Sequence, residues 1–490
     1  IRGNRMSMIF QDPMTSLNPV LRIGTQIAEV VALHKRDWSR QRVRDRVIEL
    51  LELVGIPDAP RRAGQFPNEF SGGMRQRAII AMALANEPDL LIADEPTTAL
   101  DVTIQAQIME VLAEVRARTG AAMVLITHDL GLVAETADRI SVMYGGRMME
   151  QAAAEPLLRA PRNPYTAGLL ASLPDIDGKT GRLYSIPGHV PDMSKAPPGC
   201  IFNPRCGLSR GRSICQEKEP PPRDIGDGHL TACHFAEEMD VWVNEAIAGE
   251  APAEKRAPLA DKPVLEVKNL SKTYLVNKSR GWGKDRLRAV EDISFTLKPG
   301  TTLGLVGESG CGKTTLGRLI LRLVDSTSGE VRLKGTNITD LGASRLRPHR
   351  RDMQVVFQDP YASLNPRISV HDIIAEPLRI NGGYDPKRIV ELLDHVGLSE
   401  AVMKRRPPEF SGGQRQRIAI ARALALNPDV MVLDEAVSAL DVSIRAQVLN
   451  LLVSLQERLG LAYLFISHDL SVVRHISDEV AVMYLGKLVE

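Results

Sequence analysis

Residues 307–314 have the residue types and spacing of a loop that binds phosphate groups. The segment reads GESGCGKT and follows TTLGLV, an apolar run typical of a buried strand. Glycines let backbone N–H groups close around phosphate oxygens, Lys313 can reach the β- and γ-phosphates, and the Thr314 hydroxyl can ligate Mg²⁺. A helix beginning near Lys313 would add the positive end of its dipole. The pattern predicts a nucleotide site at Gly307, Glu308, Ser309, Gly310, Cys311, Gly312, Lys313 and Thr314.

Two apolar runs end in a pair of acidic residues. LLIADE ends in Asp94 and Glu95, and MVLDE ends in Asp434 and Glu435. We expect the aspartates to hold Mg²⁺ through water and the glutamates to orient or deprotonate an attacking water. A positioned base contributes roughly 10²–10⁴-fold to a rate. The alternative of two surface acids after a strand is disfavoured because the arrangement occurs twice.

Ser-Gly-Gly segments and isolated histidines are further candidate phosphate contacts. Ser71-Gly72-Gly73 and Ser411-Gly412-Gly413 precede the helix-like sequences RQRAIIAMALA and RQRIAIARALA. Taken alone, each serine is a helix N-cap. Beside a phosphate loop, the bare amides, the hydroxyl and the helix dipole predict a clamp on the γ-phosphate. His128 in ITHD and His468 in ISHD follow strand-like runs, and we expect them to contact the same phosphate.

These motifs occur twice, which indicates two copies of one domain. Four landmarks share one separation, because 411−71, 434−94, 441−101 and 468−128 all equal 340. Gln11 and Gln358 lie in similar FQDP segments but are 358−11 = 347 residues apart, so the copies differ by a short insertion. A period this long is not that of a solenoid. Gln358 lies 358−307 = 51 residues after Gly307, so the matching loop of the first copy would precede residue 1, and we expect a fragment of a longer protein.

Composition is that of an ordinary globular protein and disfavours some partners. The chain has 490 residues, of which 44% are hydrophobic, 25% charged and 4% aromatic, and its formal net charge is +1. Its length predicts about three domains. Such a charge gives no overall field that would attract nucleic acid or an anionic membrane, and few aromatic residues are available for base stacking. No apolar run approaches the roughly 20 residues that span a bilayer, and no signal peptide is present in this sequence.

Short apolar runs alternate with amphipathic segments, which predicts parallel α/β sheets. MSMIF, DLLIADE and AAMVLITHD are strand candidates, whereas RVRDRVIELLELVG and IQAQIMEVLAEVRART have helical periodicity. We expect a first α/β domain over residues 1–155 and a Pro-rich irregular domain with four cysteines over 156–236. An Ala/Pro/charge linker is expected over 237–262 and a second α/β domain over 263–490, beginning with PVLEVKNL.

The order of phosphate loop, glutamine, Ser-Gly-Gly signature, acid pair, A-L-D loop and histidine resembles that of the ATP-binding cassette (ABC) ATPases. The resemblance covers nearly all of residues 1–150 and 263–490. It implies two P-loop domains that pair head to tail as an intramolecular pseudo-dimer, with each ATP between one copy's phosphate loop and the other's signature. Tyr274 in LSKTYLV would stack on adenine, the alternative being a tyrosine at a strand edge. One implied site is complete, and it combines Gly307 to Thr315, Gln358, Asp434, Glu435 and His468 with Ser71, Gly72, Gly73 and Asp101.

The same resemblance implies a second site without its phosphate loop in this sequence. That site would use Gln11, Asp94, Glu95 and His128 with Ser411, Gly412, Gly413, Gln414 and Asp441. In the complete site Mg²⁺ would be held by Thr314, Gln358 and Asp434. Met74 replaces the usual glutamine of the signature and Ala436 the usual proline after the acid pair. Both glutamates are present, so we expect neither departure to abolish activity.

The four cysteines between the two copies are a candidate metal site. Cys200, Cys206, Cys215 and Cys233 lie in PPGCIFNPRC, SICQEKEP and HLTACHF. The site chemistry requires ATP and hence the cytosol, where disulfides are disfavoured. Their spacings are wider than the usual zinc pairs, and four thiolates can also hold an iron–sulfur cluster. Spacing alone leaves zinc and iron–sulfur open, as well as no metal; His229 and His234 are interpreted as structural.

NPYTAGLLASLP, IPG and PPGCIFNPRC resemble the C-terminal extension of the oligopeptide/dipeptide importer ATPases, which binds a 4Fe–4S cluster in some members. This resemblance favours iron–sulfur over zinc. It implies an ATPase at the cytoplasmic face of the inner membrane, peripheral to two permease subunits and supplied by an extracytoplasmic binding protein. Dipeptides, oligopeptides, glutathione and nickel complexes are the substrates of such relatives. A soluble ABC protein of ribosomes or nucleic acid would carry a basic linker, and a DNA-repair or chromosome ABC protein would interrupt its cassettes. Neither feature is present, so we expect no nucleic-acid partner.

Overall fold

The computed structural model describes residues 1–97, 100–174, 182–246, 260–277 and 283–490. These residues form two compact units, Ile1–Asp138 and Arg139–Glu490. The second unit contains both the cysteine segment and the whole second copy, so the contacts between those two parts can be described. No helix among the described ranges is both long enough and apolar enough to cross a membrane.

The first unit has a three-stranded parallel sheet with helices connecting its strands. The strand order is β1-β2-β3, and the strand and helix predictions for this copy are confirmed. Its elements are β1 (Met6–Ile9), α1 (Pro13–Ser16), α2 (Ile23–His34), α3 (Arg40–Leu53), α4 (Ala59–Arg62), α5 (Gly72–Ala83), β2 (Leu90–Asp94), α6 (Val102–Thr119), β3 (Ala122–Ile126) and α7 (Leu130–Thr136).

The second unit begins with a small antiparallel sheet and the cysteine segment. The sheet has the order β4-β5-β7-β6. Met239 and Trp242, which fall inside the predicted 237–262 linker, are buried in a small core with Leu208; residues 247–259 of that linker lie outside the described ranges. The elements are β4 (Arg139–Tyr144), β5 (Arg147–Ala153), α8 (Ala154–Arg159), α9 (Pro164–Ala171), α10 (Ser213–Glu217), β6 (Arg223–Asp224), β7 (Leu230–Thr231) and α11 (Met239–Ala246).

The second copy completes this unit with two further sheets. Its elements are β8 (Leu265–Asn277), β9 (Lys284–Leu297), β10 (Thr302–Val306), α12 (Lys313–Ile320), β11 (Ser328–Leu333), β12 (Thr336–Asn337), α13 (Ala343–Leu346), α14 (His349–Asp352), β13 (Met353–Val356), α15 (Pro360–Ser363), α16 (Val370–Ile380), α17 (Pro386–His395), α18 (Gly412–Leu424), β14 (Val430–Asp434), α19 (Val442–Leu459), β15 (Ala462–Ile466), α20 (Leu470–Ile476), β16 (Glu479–Tyr484) and β17 (Lys487–Leu488).

The main sheet of the second copy positions the site residues. Its order is β13-β14-β15-β10-β16-β17, and β13 through β16 are parallel. All residues of β10, β14 and β15 are buried, as expected for central strands covered on both faces. The phosphate loop, the acid pair and His468 each follow one of these three strands. Parallel strands end at the same edge, so these residues are brought together there. An antiparallel sheet of order β12-β11-β8-β9 lies in the same unit.

Corresponding strands of the two copies differ in burial. Leu464 and Ile466 of β15 are fully buried between β14 and β10, whereas Val124 and Ile126 of β3 are 48% and 47% exposed. Within the described residues β3 is hydrogen-bonded to β2 alone, whereas β15 lies between β14 and β10.

Candidate nucleotide site and cysteine cavity

The phosphate loop follows β10 and is shaped by two glycines. Gly307 has φ +156° and Gly312 has φ +112°. A Cβ atom would lie 2.2 Å from the Met483 carbonyl oxygen at Gly307, and 2.3 Å from the Ala289 carbonyl oxygen at Gly312. Both positions therefore require glycine. Glu308, Ser309, Gly310 and Cys311 lie between them, and Thr315 follows in α12.

Lys313 and Thr314 begin α12 and point into the loop and towards the acid pair. The buried Lys313 ammonium donates to the carbonyl oxygens of Gly307 (2.6 Å) and Glu308 (2.9 Å). The Thr314 hydroxyl donates to Asp434 Oδ1 at 3.3 Å. A hydroxyl and a carboxylate oxygen, both hard ligands, thus lie beside the phosphate loop, and this fits Mg²⁺ shared with nucleotide phosphates.

Glu435 is contacted by both of the polar residues predicted to accompany it. Gln358 Nε2 donates to its Oε2 at 2.7 Å, and His468 Nδ1 lies 3.5 Å from its Oε1. The hydrogen bond from His468 lowers the pKa of Glu435, although burial opposes the shift. Glu435 is therefore kept ionised, the form a general base needs.

Asp434 shows the opposite shift. Burial and the neighbouring Glu435 charge raise its pKa, and the Thr314 hydrogen bond with the Arg318 and Lys313 charges opposes the increase. A buried carboxylate beside another carboxylate is stabilised by a cation. This is consistent with the predicted metal-ligand role of Asp434.

The first copy reproduces the same contacts. Gln11 Nε2 donates to Glu95 Oε2 at 2.7 Å, and His128 Nδ1 lies 3.1 Å from Glu95 Oε1. Asp94 ends β2, as Asp434 ends β14. The structure thus brings glutamine, glutamate and histidine together in each unit.

Both glutamates have an unusual backbone conformation that the sequence analysis missed. Glu95 has φ +46° and Glu435 has φ +49°, in the left-handed region that costs a non-glycine residue about 1–2 kcal/mol. Their amides donate to Ile126 (2.8 Å) and Ile466 (2.9 Å), which fixes this turn after each strand. Strain of this kind concentrates at functional sites. Nothing in the residue type signals it.

The signature segments open helices, as predicted. Ser71 caps α5 by accepting from the Met74 amide (3.3 Å), and Ser411 caps α18 by accepting from the Gln414 amide (3.4 Å). Gln414 Oε1 also accepts from the Ser411 amide at 3.1 Å, a reciprocal bond that Met74 cannot make. Gly73 and Gly413 lack a Cβ atom, which lets Ile104 and Ile444 approach closely. An added Cβ would lie 2.8 Å from Ile104 Cγ2 at Gly73 and 2.3 Å from Ile444 Cγ2 at Gly413. Gly72 and Gly412 are more open.

Asp101 and Asp441 precede equivalent helices but differ in their contacts. Asp101 Oδ1 accepts from the Ile104 amide at 2.9 Å and caps α6. Asp441 occupies the N-cap of α19 without a capping hydrogen bond. Ser71 to Gly73 and Asp101 lie in the first unit, whereas the phosphate loop lies in the second.

Tyr274 lies on β8, a strand of the antiparallel sheet, and is half-buried. The Lys272 ammonium lies 5.1 Å from its ring centroid. The stacking role on adenine stays a prediction.

All four predicted cysteines line one cavity. Cys200, Cys206, Cys215 and Cys233 surround it with Phe202, Leu208, Phe235 and other residues. Burial raises the pKa of Cys206 to about 12 and that of Cys233 to about 11, and it also raises the pKa of Cys200 and Cys215. Across the described ranges, no group of three or more His, Cys, Asp or Glu side chains has the geometry to hold a single metal ion.

His229 and His234, the two histidines near the cysteines in the sequence, have partners in the protein. His229 Nε2 lies 2.7 Å from Glu150 Oε1, and His234 Nε2 lies 3.0 Å from the Lys218 carbonyl oxygen. These contacts agree with the structural role predicted for both residues.

Sequence comparisons agree with the architecture. Residues 1–98 and 290–438 match the ABC transporter family, and residues 149–215 match the oligopeptide/dipeptide transporter C-terminal region. The oligopeptide transport ATP-binding protein OppD of Mycobacterium tuberculosis is 50% identical over 100% of this chain and 81% of its own length. The glutathione import ATP-binding protein GsiA of Escherichia coli is 46% identical over 100% of this chain and 71% of its own length.

The ABC transporter family matches lie on both sides of the cysteine segment, and a second family matches part of that segment. This agrees with the glutamine, glutamate and histidine contacts that occur in both copies. The chain belongs to the ABC transporter family, as an ATP-binding protein of the oligopeptide and glutathione importer group.

Proposed function

We propose that this chain hydrolyses ATP to drive the import of short peptides across the cytoplasmic membrane. The observation that carries the proposal is a cluster of polar residues at one phosphate loop: Lys313, Thr314, Asp434, Glu435 and His468. The chain that holds this cluster is 50% identical to an oligopeptide transport ATP-binding protein. The extension at residues 149–215 supports a peptide substrate over unrelated cargo.

Each site residue has a chemical role in hydrolysis. The loop amides and Lys313 bind the β- and γ-phosphates. Thr314, Asp434 and Gln358 are placed to hold Mg²⁺, which neutralises phosphate charge when bound. Glu435 orients or deprotonates the attacking water, and His468 keeps Glu435 ionised while contacting the γ-phosphate.

We further propose that the two copies pair head to tail, so that Ser71 to Gly73 and Asp101 complete this site. The support is the family resemblance and the conservation of geometry between the copies, including the glycine contacts with Ile104 and Ile444. Gln11 and Gln358 would link the nucleotide state to two permease subunits, because each contacts the catalytic glutamate of its own unit. The chain would lie peripherally on the cytoplasmic face, served by an extracytoplasmic binding protein.

Purification from gently solubilised membranes tests the transport function. Two integral membrane permeases should co-purify, and a peptide-loaded binding protein should raise ATPase activity several-fold. Stimulation by a glutathione-loaded binding protein instead would indicate that glutathione is the substrate. The 46% identity to the glutathione import protein GsiA supports this second candidate. Co-purifying ribosomes or nucleic acid without permeases would overturn the proposal.

We also propose that the cysteine cavity holds a 4Fe–4S cluster. The support is that all four cysteines line one cavity and that four thiolates can hold an iron–sulfur cluster. The Phe235 amide donates to Cys233 Sγ at 3.4 Å. The raised thiol pKa values mean that four buried thiolates need a cation to be stable.

Anaerobic purification distinguishes the metals. About four irons per chain, visible absorption near 400 nm and an EPR signal on reduction are expected, and all should be lost in Cys206→Ser. One zinc per chain in a colourless protein would support the zinc interpretation. A protein that contains neither iron nor zinc would overturn both interpretations.

A further inference from the structure

Four arginines and no acidic residue lie in the segment RLRPHRR, residues 345–351 of the second copy. The side chains of Arg345, Arg347, Arg350 and Arg351 are all exposed. None of these four forms an ion pair with any residue that the structure describes. The formal net charge of the whole chain is only +1, so the positive charge of this segment is a local excess.

Two short helices hold the arginines at the surface. Leu346 ends α13 and Met353 follows α14, and both are buried in the core of the second copy. The acid that follows the arginines, Asp352, lies 3.3 Å from the ammonium of Lys334. It is therefore already paired with a cation of its own and does not neutralise the segment.

The two central arginines lie beside exposed apolar residues. Arg347 Nη2 donates to the Ile380 carbonyl oxygen at 2.9 Å, and Ile380 is 57% exposed. Arg350 Nη2 donates to the Arg322 carbonyl oxygen at 3.3 Å, and the next residue, Leu323, is 51% exposed. The surface thus places an exposed aliphatic residue beside each of two guanidinium groups.

The free donors of these arginines suit phosphate oxygens. A guanidinium group has five N–H donors in a planar fork that binds phosphate through two hydrogen bonds at once. Arg347 and Arg350 each use one donor on a backbone carbonyl, and the side chains of Arg345 and Arg351 make no hydrogen bond with a described residue. Clusters of four or more basic residues bind anionic lipid headgroups, and each residue raises the affinity roughly fivefold.

The aliphatic residues favour a bilayer over nucleic acid as the partner. Aliphatic side chains can enter the boundary between lipid headgroups and acyl chains, whereas single-stranded nucleic acid is bound by bases that stack on aromatic rings. Tyr384, an exposed aromatic residue shortly after Ile380, already has its hydroxyl 3.2 Å from His371 Nε2 and its ring beside the Arg379 guanidinium.

We propose that this part of the second copy binds the anionic headgroups of a lipid bilayer. The surface, here called the arginine surface, consists of Arg345, Arg347, Arg350 and Arg351 with Leu323 and Ile380. The contact is made by the chain itself and adds to the binding of the proposed permease subunits. Its occurrence in a cell rests on the proposed position at the cytoplasmic membrane, whereas the binding itself does not.

Sedimentation of the full chain with lipid vesicles that contain no permease tests the proposal. Vesicles of phosphatidylglycerol and phosphatidylcholine in equal parts should bind the chain at least about tenfold more tightly than vesicles of phosphatidylcholine alone. Binding should weaken as the salt concentration is raised, because salt screens charges at a surface. Equal binding to both kinds of vesicle, or binding to neither, would overturn the proposal.

Arg345→Gln with Arg351→Gln removes two charges of the arginine surface and no described side-chain contact, so the fold should be kept. Binding to the phosphatidylglycerol vesicles should fall at least about tenfold. Arg40→Gln with Arg44→Gln is the matched control, because these exposed arginines of α3 also lack an ion pair with a described residue. The control should change the affinity by less than about twofold. An equal loss in both variants would show that net charge, and not the arginine surface, decides the binding.

Leu323→Ser with Ile380→Ser tests the aliphatic part of the surface. Binding that remains at high salt, where charge attraction is screened, should fall in this variant. Unchanged binding at high salt would show that the two residues are not part of the surface, contrary to the proposal. A DNA oligonucleotide that binds more tightly than the vesicles, and loses this affinity in Arg345→Gln with Arg351→Gln, would assign the surface to nucleic acid and overturn the proposal.

The vesicle assay separates this proposal from peptide import. A chain that binds the anionic vesicles through the arginine surface, but whose ATPase activity does not respond to a peptide-loaded binding protein, would keep the lipid contact and refute the import. A chain that responds to the binding protein in the presence of permeases, but does not bind bare anionic vesicles, would keep the import and refute the lipid contact.

Discussion

At the scale of single residues, the proposed chemistry depends on which atoms contact Glu435. Residue types and motif order predicted that Gln358, Glu435 and His468 belong to one nucleotide site, and in the structure Gln358 and His468 both lie against Glu435. The left-handed backbone of Glu435 could not be predicted, because it is imposed by the turn after β14 and by the bond to Ile466. The opposite pKa shifts of Asp434 and Glu435 likewise depend on burial and hydrogen bonds that spacing does not reveal.

His468→Ala should shift the acid side of the pH–rate profile to higher pH. The hydrogen bond from His468 lowers the Glu435 pKa, so its loss lets that pKa rise. A base must be ionised, so the variant loses activity on acidification sooner, and kcat at neutral pH should also fall by roughly 10²-fold. Steady-state ATPase assays between pH 5 and 9 in a Glu95→Gln background measure both effects.

His128→Ala in the same background is the matched control, because it removes the equivalent contact from the first copy. It should leave the acid limb in place. An acid limb that moves equally in both variants would show that His468 does not act through Glu435.

At the scale of helices and strands, local sequence signals were reliable where local physics decides. Strands such as β2 and β14 and helices such as α5 and α18 begin and end where apolar periodicity and capping residues predict. The hydrogen bonds of α19 with Leu183 and Ile186 were not predictable, since these residues lie 267 and 261 positions before their partners Asn450 and Gln447. Helical periodicity alone treats α6 and α19 alike.

Met74→Gln should stabilise the first turn of α5. The new side chain can accept from the Ser71 amide, as Gln414 accepts from Ser411 in α18. A hydrogen bond of this kind contributes about 1 kcal/mol, so exchange of the Ser71 amide should slow roughly fivefold. Hydrogen exchange read by NMR or mass spectrometry measures this.

Gln414→Met is the reciprocal change and should accelerate exchange of the Ser411 amide by a similar factor. Equal exchange at Ser71 and Ser411 in the unaltered chain would contradict the capping argument.

At the scale of the whole molecule, the 340-residue repeat predicted two cassettes and the family matches support them. The described residues form two units whose boundary lies at Asp138, so the last strands of the first copy fold with the extension and the second copy. Composition could not predict this partition, in which β5 pairs with β7 and Leu183 exchanges two hydrogen bonds with Asn450.

Ser71→Arg should reduce hydrolysis at the Gly307–Thr315 site at least tenfold while ATP binding is retained. In the proposed head-to-tail pairing, a long cationic side chain replaces the hydroxyl that closes on the γ-phosphate, so transition-state contacts are lost. Single-turnover ATPase and nucleotide-binding assays in a Glu95→Gln background separate the two quantities.

Ser411→Arg, measured in the same background, should have little effect on that site. If Ser411→Arg is the damaging change and Ser71→Arg is silent, each phosphate loop works with the signature of its own copy, and the pairing proposed here is wrong.

The hydrogen bonds from α19 to Leu183 and Ile186 have a consequence for which substitutions the chain can accept. Thr103 and Ala106 of α6 are exposed within the described residues. Their counterparts Ser443 and Ala446 are buried on α19, the helix whose Gln447 and Asn450 donate to the Ile186 and Leu183 carbonyls. Substitutions at Gln447 and Asn450 are therefore constrained by the backbone of a segment that precedes the second copy in the chain, and separating the two segments would leave these amide groups without their present partners.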